Sequence, residues 1–128
     1  MKETIELKEH FNAKPSVIFQ AWLNGEEHSK MTGGKAKCTA QVGDSFSAWD
    51  GYISGKNLEI VENVKIVQSW RTTQFDDNDE DSILTITFSK FGKGTEITLY
   101  HTNIPEGQLH YKQGWIDHYF NPMKAYFD

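Results

Sequence analysis

Apolar and polar positions alternate with period two over residues 3–11, ETIELKEHF, with Ile5 and Leu7 on one face and Phe11 joining them after a slip near Glu9. This predicts a half-buried strand. The period changes in AKPSVIFQAWLNGEEHSKMTGG. Val17 or Ile18, with Ala21 and Trp22, gives the apolar face of a short helix. Pro15 suits its first turn, where a missing N–H costs nothing, and Asn24-Gly25 ends it. Glu26, Glu27, His28 and Lys30 predict a second short helix that stops at Gly33-Gly34. From there to Pro105 the chain reads as strands: KCTAQ, SFSAW, YISGKNLEIV, VKIVQSWRTTQF, SILTITFSKF and TEITLYHTNIP. Turns at Gly43-Asp44, Asp50-Gly51, Glu62-Asn63, the acidic run DDNDED and Gly92-Lys93-Gly94 separate them, Asp50-Gly51 being the strongest hairpin signal. A helix over 107–127 closes the pattern. The prediction is an α+β fold in a single domain spanning 1–128, with about seven antiparallel strands, two short helices after the first strand and a long C-terminal helix.

Charge placement assigns the strand faces. Lys65 and Arg71 share one face, which leaves Ile66, Gln68, Trp70 and Thr72 on the other. Leu84, Ile86 and Phe88 form the apolar face of the next strand, and Ile97, Leu99 and His101 lie opposite Glu96 and Thr98. Phe46 and Ala48 pair with Ile53 and Gly55 across a hairpin. One sheet face is thus apolar with a few polar groups, and something must cover it. The segment GQLHYKQGWIDHYFNPMKAYF holds six of the chain's seventeen aromatics. Trp115, Tyr119, Met123 and Tyr126 recur at spacings of four, four and three, with Ile116, Phe120 and Phe127 beside them. At ~1.5 Å per residue such a helix is about 30 Å long, enough to cross a sheet. Pro122 removes one backbone bond, at about 3 kcal/mol in a straight helix, and predicts a bend near Asn121. The helix reads as a lid whose aromatics fill the concave side of a curved sheet.

Composition narrows the function classes. A chain of 128 residues can bury roughly two-thirds of its unfolded surface without a disulfide or metal. A net charge of −5 argues against a general grip on nucleic acid, which needs a basic face. Cys38 is the one cysteine, so no internal disulfide forms, and it reads as a small apolar residue. MKETIELKEH lacks the apolar core of a signal peptide, and nothing approaches the ~20 apolar residues of a membrane span. The expectation is a cytoplasmic protein with no membrane partner.

Candidate chemistry is sparse. Asp77, Asp79 and Asp81 fit the first half of a calcium loop, but Ser82 stands where Gly belongs and Phe88 where a bidentate Glu belongs. The run reads as a solvated hairpin tip. None of the five histidines has HxxxH or HxH spacing, so no metal or other cofactor is expected. His110 and His118 flank the apolar stripe of the last helix. His101 points inward, yet no Ser or Cys stands at a recognisable nucleophile elbow, and no catalytic residue is assigned. Gly33-Gly34 with Lys35 lacks the spacing of a phosphate loop. Gln68, Thr72 and His101 are polar groups on an apolar wall, and buried polar groups need partners. Core packing satisfies them in one reading; a ligand does so in the other. Three such groups are awkward in a closed core, so the expectation is the second: a non-enzymatic binding domain with a candidate cavity lined by Phe46, Gln68, Trp70, Thr72, Leu84, Ile86, Phe88, Leu99, His101, Trp115, Tyr119 and Met123, holding an apolar or amphipathic small molecule. The alternative is that the aromatics plug it.

KPSVIFQAWLNGEEHSKMTGG, VGDSFSAWDGYISG, VQSWR, GTEITLYHTNIP and QGWIDHYFNPMKAYF, in that order over about residues 11 to 127, resemble the helix-grip, START-like (SRPBCC) superfamily. Within it they are most similar to the family named for the activator of the heat-shock protein 90 ATPase, in its C-terminal domain. The resemblance implies a helix-grip fold with the last helix across the concave face of the sheet. It implies two kinds of partner: a chaperone whose ATPase is stimulated, or a hydrophobic small molecule under the helix. A few superfamily members are enzymes, and for an acid–base role only His101 is placed. Gly43-Asp44 stands where the family usually carries Gly-Gly, and the N-terminal domain of the eukaryotic activator has no counterpart in these 128 residues.

Overall fold

A computed structural model describes residues 2–127. Strand β1 (Glu3–Phe11) leads into helices α1 (Pro15–Leu23) and α2 (Gly25–Thr32). Then come β2 (Ser45–Ala48), a 3-10 turn (Trp49–Gly51), β3 (Ile53–Val61), β4 (Lys65–Thr72), β5 (Ser82–Phe91) and β6 (Gly94–Ile104). The C-terminal helix is α3 (Tyr111–Trp115), a π turn (Ile116–Phe120) and α4 (Asn121–Tyr126). The six strands form one antiparallel sheet in the order β1-β6-β5-β4-β3-β2. The seventh expected strand, KCTAQ, is absent: Lys37 makes a single bridge to Ser47 and the chain then turns away. It turns because Asn57 takes the carbonyls of Thr39 and Gln41 with its side-chain amide, and side-chain bonds of this kind compete with a ladder.

Local chemistry explains the helices. Pro15 opens α1, as its sequence position predicts. Asn24 both ends α1 and caps α2, its side-chain oxygen accepting from the Glu27 N–H. Gly33 ends α2 at φ +87, a left-handed conformation that only glycine adopts without cost. The C-terminal helix starts at Tyr111, four residues later than the pattern predicts.

The faces fall as charge placement predicts. Gln68 pairs with Leu84, Leu84 with His101 and His101 with Ile5, while Ile66 pairs with Ile86 and Ile86 with Leu99. All of these are deeply buried, and they form the floor of the core, with the half-buried Leu7 at its β1 edge. The slip expected near Glu9 does not occur: β1 pairs regularly with β6 from Ile5 to Phe11, and its irregularity lies between Glu3 and Ile5. The helix crosses this floor obliquely. Trp115 packs on Trp70 of β4 with ring centroids 5.0 Å apart, and Phe120 meets Phe11 of β1 at 6.0 Å. Among the described residues no helix is long and apolar enough to cross a membrane.

Candidate functional site

The space under the helix is filled by rings. Trp22, Trp70, Trp115 and Tyr119 are each 2–4% exposed. Their centroids lie 4.9–5.0 Å apart for Trp115–Tyr119, Trp22–Tyr119 and Trp70–Trp115, the spacing of ordinary aromatic packing. Phe46 packs on Trp70 at 5.4 Å. Leu84, Ile86, Phe88, Leu99 and Met123 are buried in the same core, at 0–5% exposure. The sequence-predicted residues therefore do come together, but most of them touch each other and line no open space.

The polar groups among them are paired within the protein. The Trp115 indole N–H donates to His101 Nδ1 at 3.1 Å. That nitrogen is then an acceptor, so the imidazole proton sits on Nε2 and donates to Ser82 Oγ at 2.7 Å. The Ser82 hydroxyl in turn donates to the Trp70 carbonyl at 2.5 Å. A second relay runs from the Trp22 indole N–H to Gln68 Oε1 at 3.1 Å, and from Gln68 Nε2 to Asn57 Oδ1 at 2.9 Å. In a third, Thr72 bonds Tyr111 at 2.5 Å, and the Tyr111 hydroxyl donates to Gln108 Oε1 at 2.6 Å. So Gln68, Thr72 and His101 have partners within the protein, and their polarity does not require a ligand-holding cavity. His101 has a hydroxyl partner in Ser82, but the relay runs the wrong way for a base: both ring nitrogens are committed. Burial pushes the His101 pKa down to about 3 and keeps the ring neutral.

His28 escapes a reading of the sequence because it sits among Glu26, Glu27 and Lys30. It shares the inner face of α2 with Met31 and Thr32, and the four-residue spacing from 28 to 32 is the available signal. Its Nδ1–H donates to the Trp22 carbonyl at 2.8 Å, so Nε2 accepts from the Tyr119 hydroxyl at 3.0 Å. Burial lowers its pKa to about 4, against the raising effect of the Trp22 carbonyl. Burial also pushes the Tyr119 phenol well up, and the Cys38 thiol to about 11.

An open cleft remains at one end of the grip, between the start of the C-terminal helix and the β2–β3 turn, with a volume of about 560 Å³. Trp70, Thr72, His101, Trp115 and Tyr119 reach its inner end. Its outer walls are His118, which flanks the apolar stripe of the last helix, and four residues that the strand and helix patterns do not single out: Trp49, Tyr52, Tyr111 and Asp117. Trp49, Asp50 and Gly51 stand at φ 51, 58 and 91, three left-handed residues in a row. For a residue as bulky as Trp this is a strained conformation. The indole lies over Gly34, where any Cβ would come within 2.4 Å of it, and its edge meets His118 at 5.4 Å. Its N–H is buried and makes no hydrogen bond of normal geometry, although it lies near enough to the Tyr119 hydroxyl to favour the ionised phenol.

The acidic connection between β4 and β5 is tied to its own strand. Arg71 Nε meets Asp81 Oδ1 at 2.8 Å, its other nitrogens reach the carbonyls of Asp76 and Asp79, and its guanidinium lies 5.3 Å over the Phe75 ring. Among the described residues no group of three or more His, Cys, Asp or Glu side chains is arranged to hold a metal ion.

Comparison with known proteins places this geometry. Residues 12–128 match the model of the family described as Activator of Hsp90 ATPase homolog 1-like protein. The chain is 29% identical over 127 residues to the activator of 90 kDa heat shock protein ATPase homolog of Dictyostelium discoideum, covering 98% of this chain and 33% of that protein. It is 29% identical over 124 residues to the human activator homolog 1, covering 96% of this chain and 36% of the human protein. It thus spans about a third of the length of these relatives. A crystal structure described as an HSP90 activator from Plasmodium falciparum matches with TM-score 0.86 and 28% identity, over 96% of this chain and 94% of that one.

Proposed function

The chain belongs to the Activator of Hsp90 ATPase homolog 1-like family, and from that premise we propose that it is a non-enzymatic, cytoplasmic co-chaperone domain that binds a chaperone of the heat-shock protein 90 class and stimulates its ATPase. The observation that carries the reading is the filled grip. The four rings of Trp22, Trp70, Trp115 and Tyr119 occupy the space in which a helix-grip domain would hold a small molecule, and the polar groups around them are paired. What remains for a partner is surface. The convex side of the sheet has no helix over it and carries the row Val67, Thr85 and Tyr100, paired strand to strand, with Glu59 and Glu6 at its ends. The match to the Plasmodium protein described as an HSP90 activator, with TM-score 0.86 and 28% identity, supports a chaperone-directed role for a domain of this fold.

The test is the steady-state ATPase rate of the host's chaperone with and without this protein. A rate that rises and saturates with added protein, and that a Tyr100→Arg variant of normal fold raises less, is the expected result. An unchanged rate at saturating concentration refutes the reading.

The open cleft supports a second reading, in which a small molecule binds beside the filled core and not within it. About 560 Å³ lies in the range of small-molecule sites.

A further inference from the structure

Aromatic rings dominate the cleft. Six of the residues that line it are Trp or Tyr: Trp49, Tyr52, Trp70, Tyr111, Trp115 and Tyr119. Among the described residues neither lysine nor arginine lines it, and Asp117 is its one carboxylate. Asp117 is exposed at the mouth and accepts one hydrogen bond, from the neutral Gln113 amide at 3.0 Å. No cation pairs with it among the described residues. The other polar side chains of the lining are Thr72, His101, His110, Gln113 and His118; Thr72 and His101 are held in the inner relays, His110 by Gln74 and Gln113 by Asp117, and none of the five carries the fixed positive charge of a lysine or arginine.

From this we infer that the cleft takes an organic cation, an ammonium group carrying carbon substituents, with Trp49 and Tyr52, the half-buried rings of the lining, beside the charge and Asp117 at the mouth. Aromatic rings present a negative face to a cation, Trp most strongly, and a substituted ammonium loses little hydration on entering such a site. The backbone of the 3-10 turn supports the assignment. Trp49 is held in the wall at a positive φ that the chain would otherwise avoid, and strained residues of this kind gather where a binding surface needs them. The inner polar groups offer a ligand nothing, because the relays through His101 and Thr72 are closed. Of the groups left to meet a ligand, the Trp49 N–H and His118 offer single polar contacts, while the ring faces and the one carboxylate select positive charge.

This inference rests on the reading of the cleft as a ligand site, and it is independent of the chaperone reading. The test uses two probes of one shape, 3-hydroxyphenyltrimethylammonium and its neutral isostere 3-tert-butylphenol. They are titrated into the protein while the Trp49 indole N–H is followed by NMR. The expected result is that the cation binds at least about five-fold tighter than the phenol. An Asp117→Asn variant should weaken the cation about two- to five-fold and leave the phenol unchanged. Asp117 is exposed, so the variant folds. Equal binding of the two probes, or tighter binding of the phenol, overturns the cation assignment and leaves a ligand site of another class. Failure of both probes to shift the Trp49 signal at millimolar concentration overturns the ligand site as well.

Discussion

Two buried neutral histidines make the stability of this domain depend on pH in a window where most proteins are indifferent. An unfolded histidine titrates near 6.5, while burial holds His28 at about 4 and His101 at about 3. Both folded values are lowered, so between pH 6.5 and the folded values the unfolded chain binds protons that the folded chain refuses. Stability is therefore full above pH 7, falls as pH falls through 6.5, and goes on falling until the folded values are reached. Each group contributes up to about 1.4 kcal/mol per pH unit in that window. Integrated from pH 7 to pH 5, each histidine costs about 2 kcal/mol and the pair about 4 kcal/mol. The sum depends on the unfolded value and needs only that both folded values lie below 5. It is a large part of the 5–15 kcal/mol that typically holds a domain together. The assay is urea unfolding followed by tryptophan fluorescence at pH 8, 7, 6 and 5. The midpoint should be flat from pH 8 to 7 and then fall by on the order of 2 M by pH 5, with the slope m unchanged. A midpoint that stays constant from pH 7 to 5 would show that the two rings are not held neutral inside the fold, and the relays drawn through them would fall with it.

Two substitutions probe the packing independently of pH. Tyr119→Phe removes the hydroxyl that donates to His28 Nε2 and leaves a buried acceptor unpaired, so urea unfolding at pH 7 should show a loss of about 1–3 kcal/mol. Gly55→Ala puts a methyl 1.8 Å from the Ser69 carbonyl oxygen, a backbone atom that cannot swing away, and should cost more than about 2 kcal/mol in the same experiment; a neutral result would mean that β3 and β4 are not in this register.

The fold was legible because its signals are local and repeated. Alternation identified the inner faces of β4, β5 and β6, and Pro15, Asn24, Gly33 and the Asp50-Gly51 turn marked the ends of elements by their own chemistry. KCTAQ misled because its alternation is real, while the partner that stops it, Asn57, lies eighteen residues beyond Thr39. The site was harder for the same reason. Gln68, Thr72 and His101 are correctly read as buried polar groups, but whether a buried polar group faces a ligand or a neighbour depends on residues distant in sequence. Gln68 is met by Trp22 and His101 by Ser82. His28 was hidden by its charged neighbours in sequence. Trp49 was hidden because a residue at the end of a strand shows no period, and its left-handed φ is a property of the turn that follows.

Pro122 shows how one helix comes to serve both halves of the sheet. The sequence predicts a bend near Asn121; just before the proline the helix opens into a π turn, Ile116–Phe120. The Asn121 N–H bonds the Ile116 carbonyl, five residues back, and not the one four back. The wider turn places Pro122 in the first turn of a new α segment, the position that best tolerates a missing N–H. A π turn holds nearly one residue more than an α turn, so Trp115 and Phe120, five apart, can both face the sheet. Trp115 then packs on β4 through Trp70, and Phe120 on β1 through Phe11. Tyr119, between them, turns toward α1 and α2, where it meets Trp22 at 5.0 Å and His28. A regular helix over the same residues would bring one of these rings away from its wall. The residue that looks like a flaw in the helix therefore lets its aromatics close the grip on three sides, and a grip closed in this way holds its own side chains and leaves its outer surface, and the cleft at its end, to meet a partner.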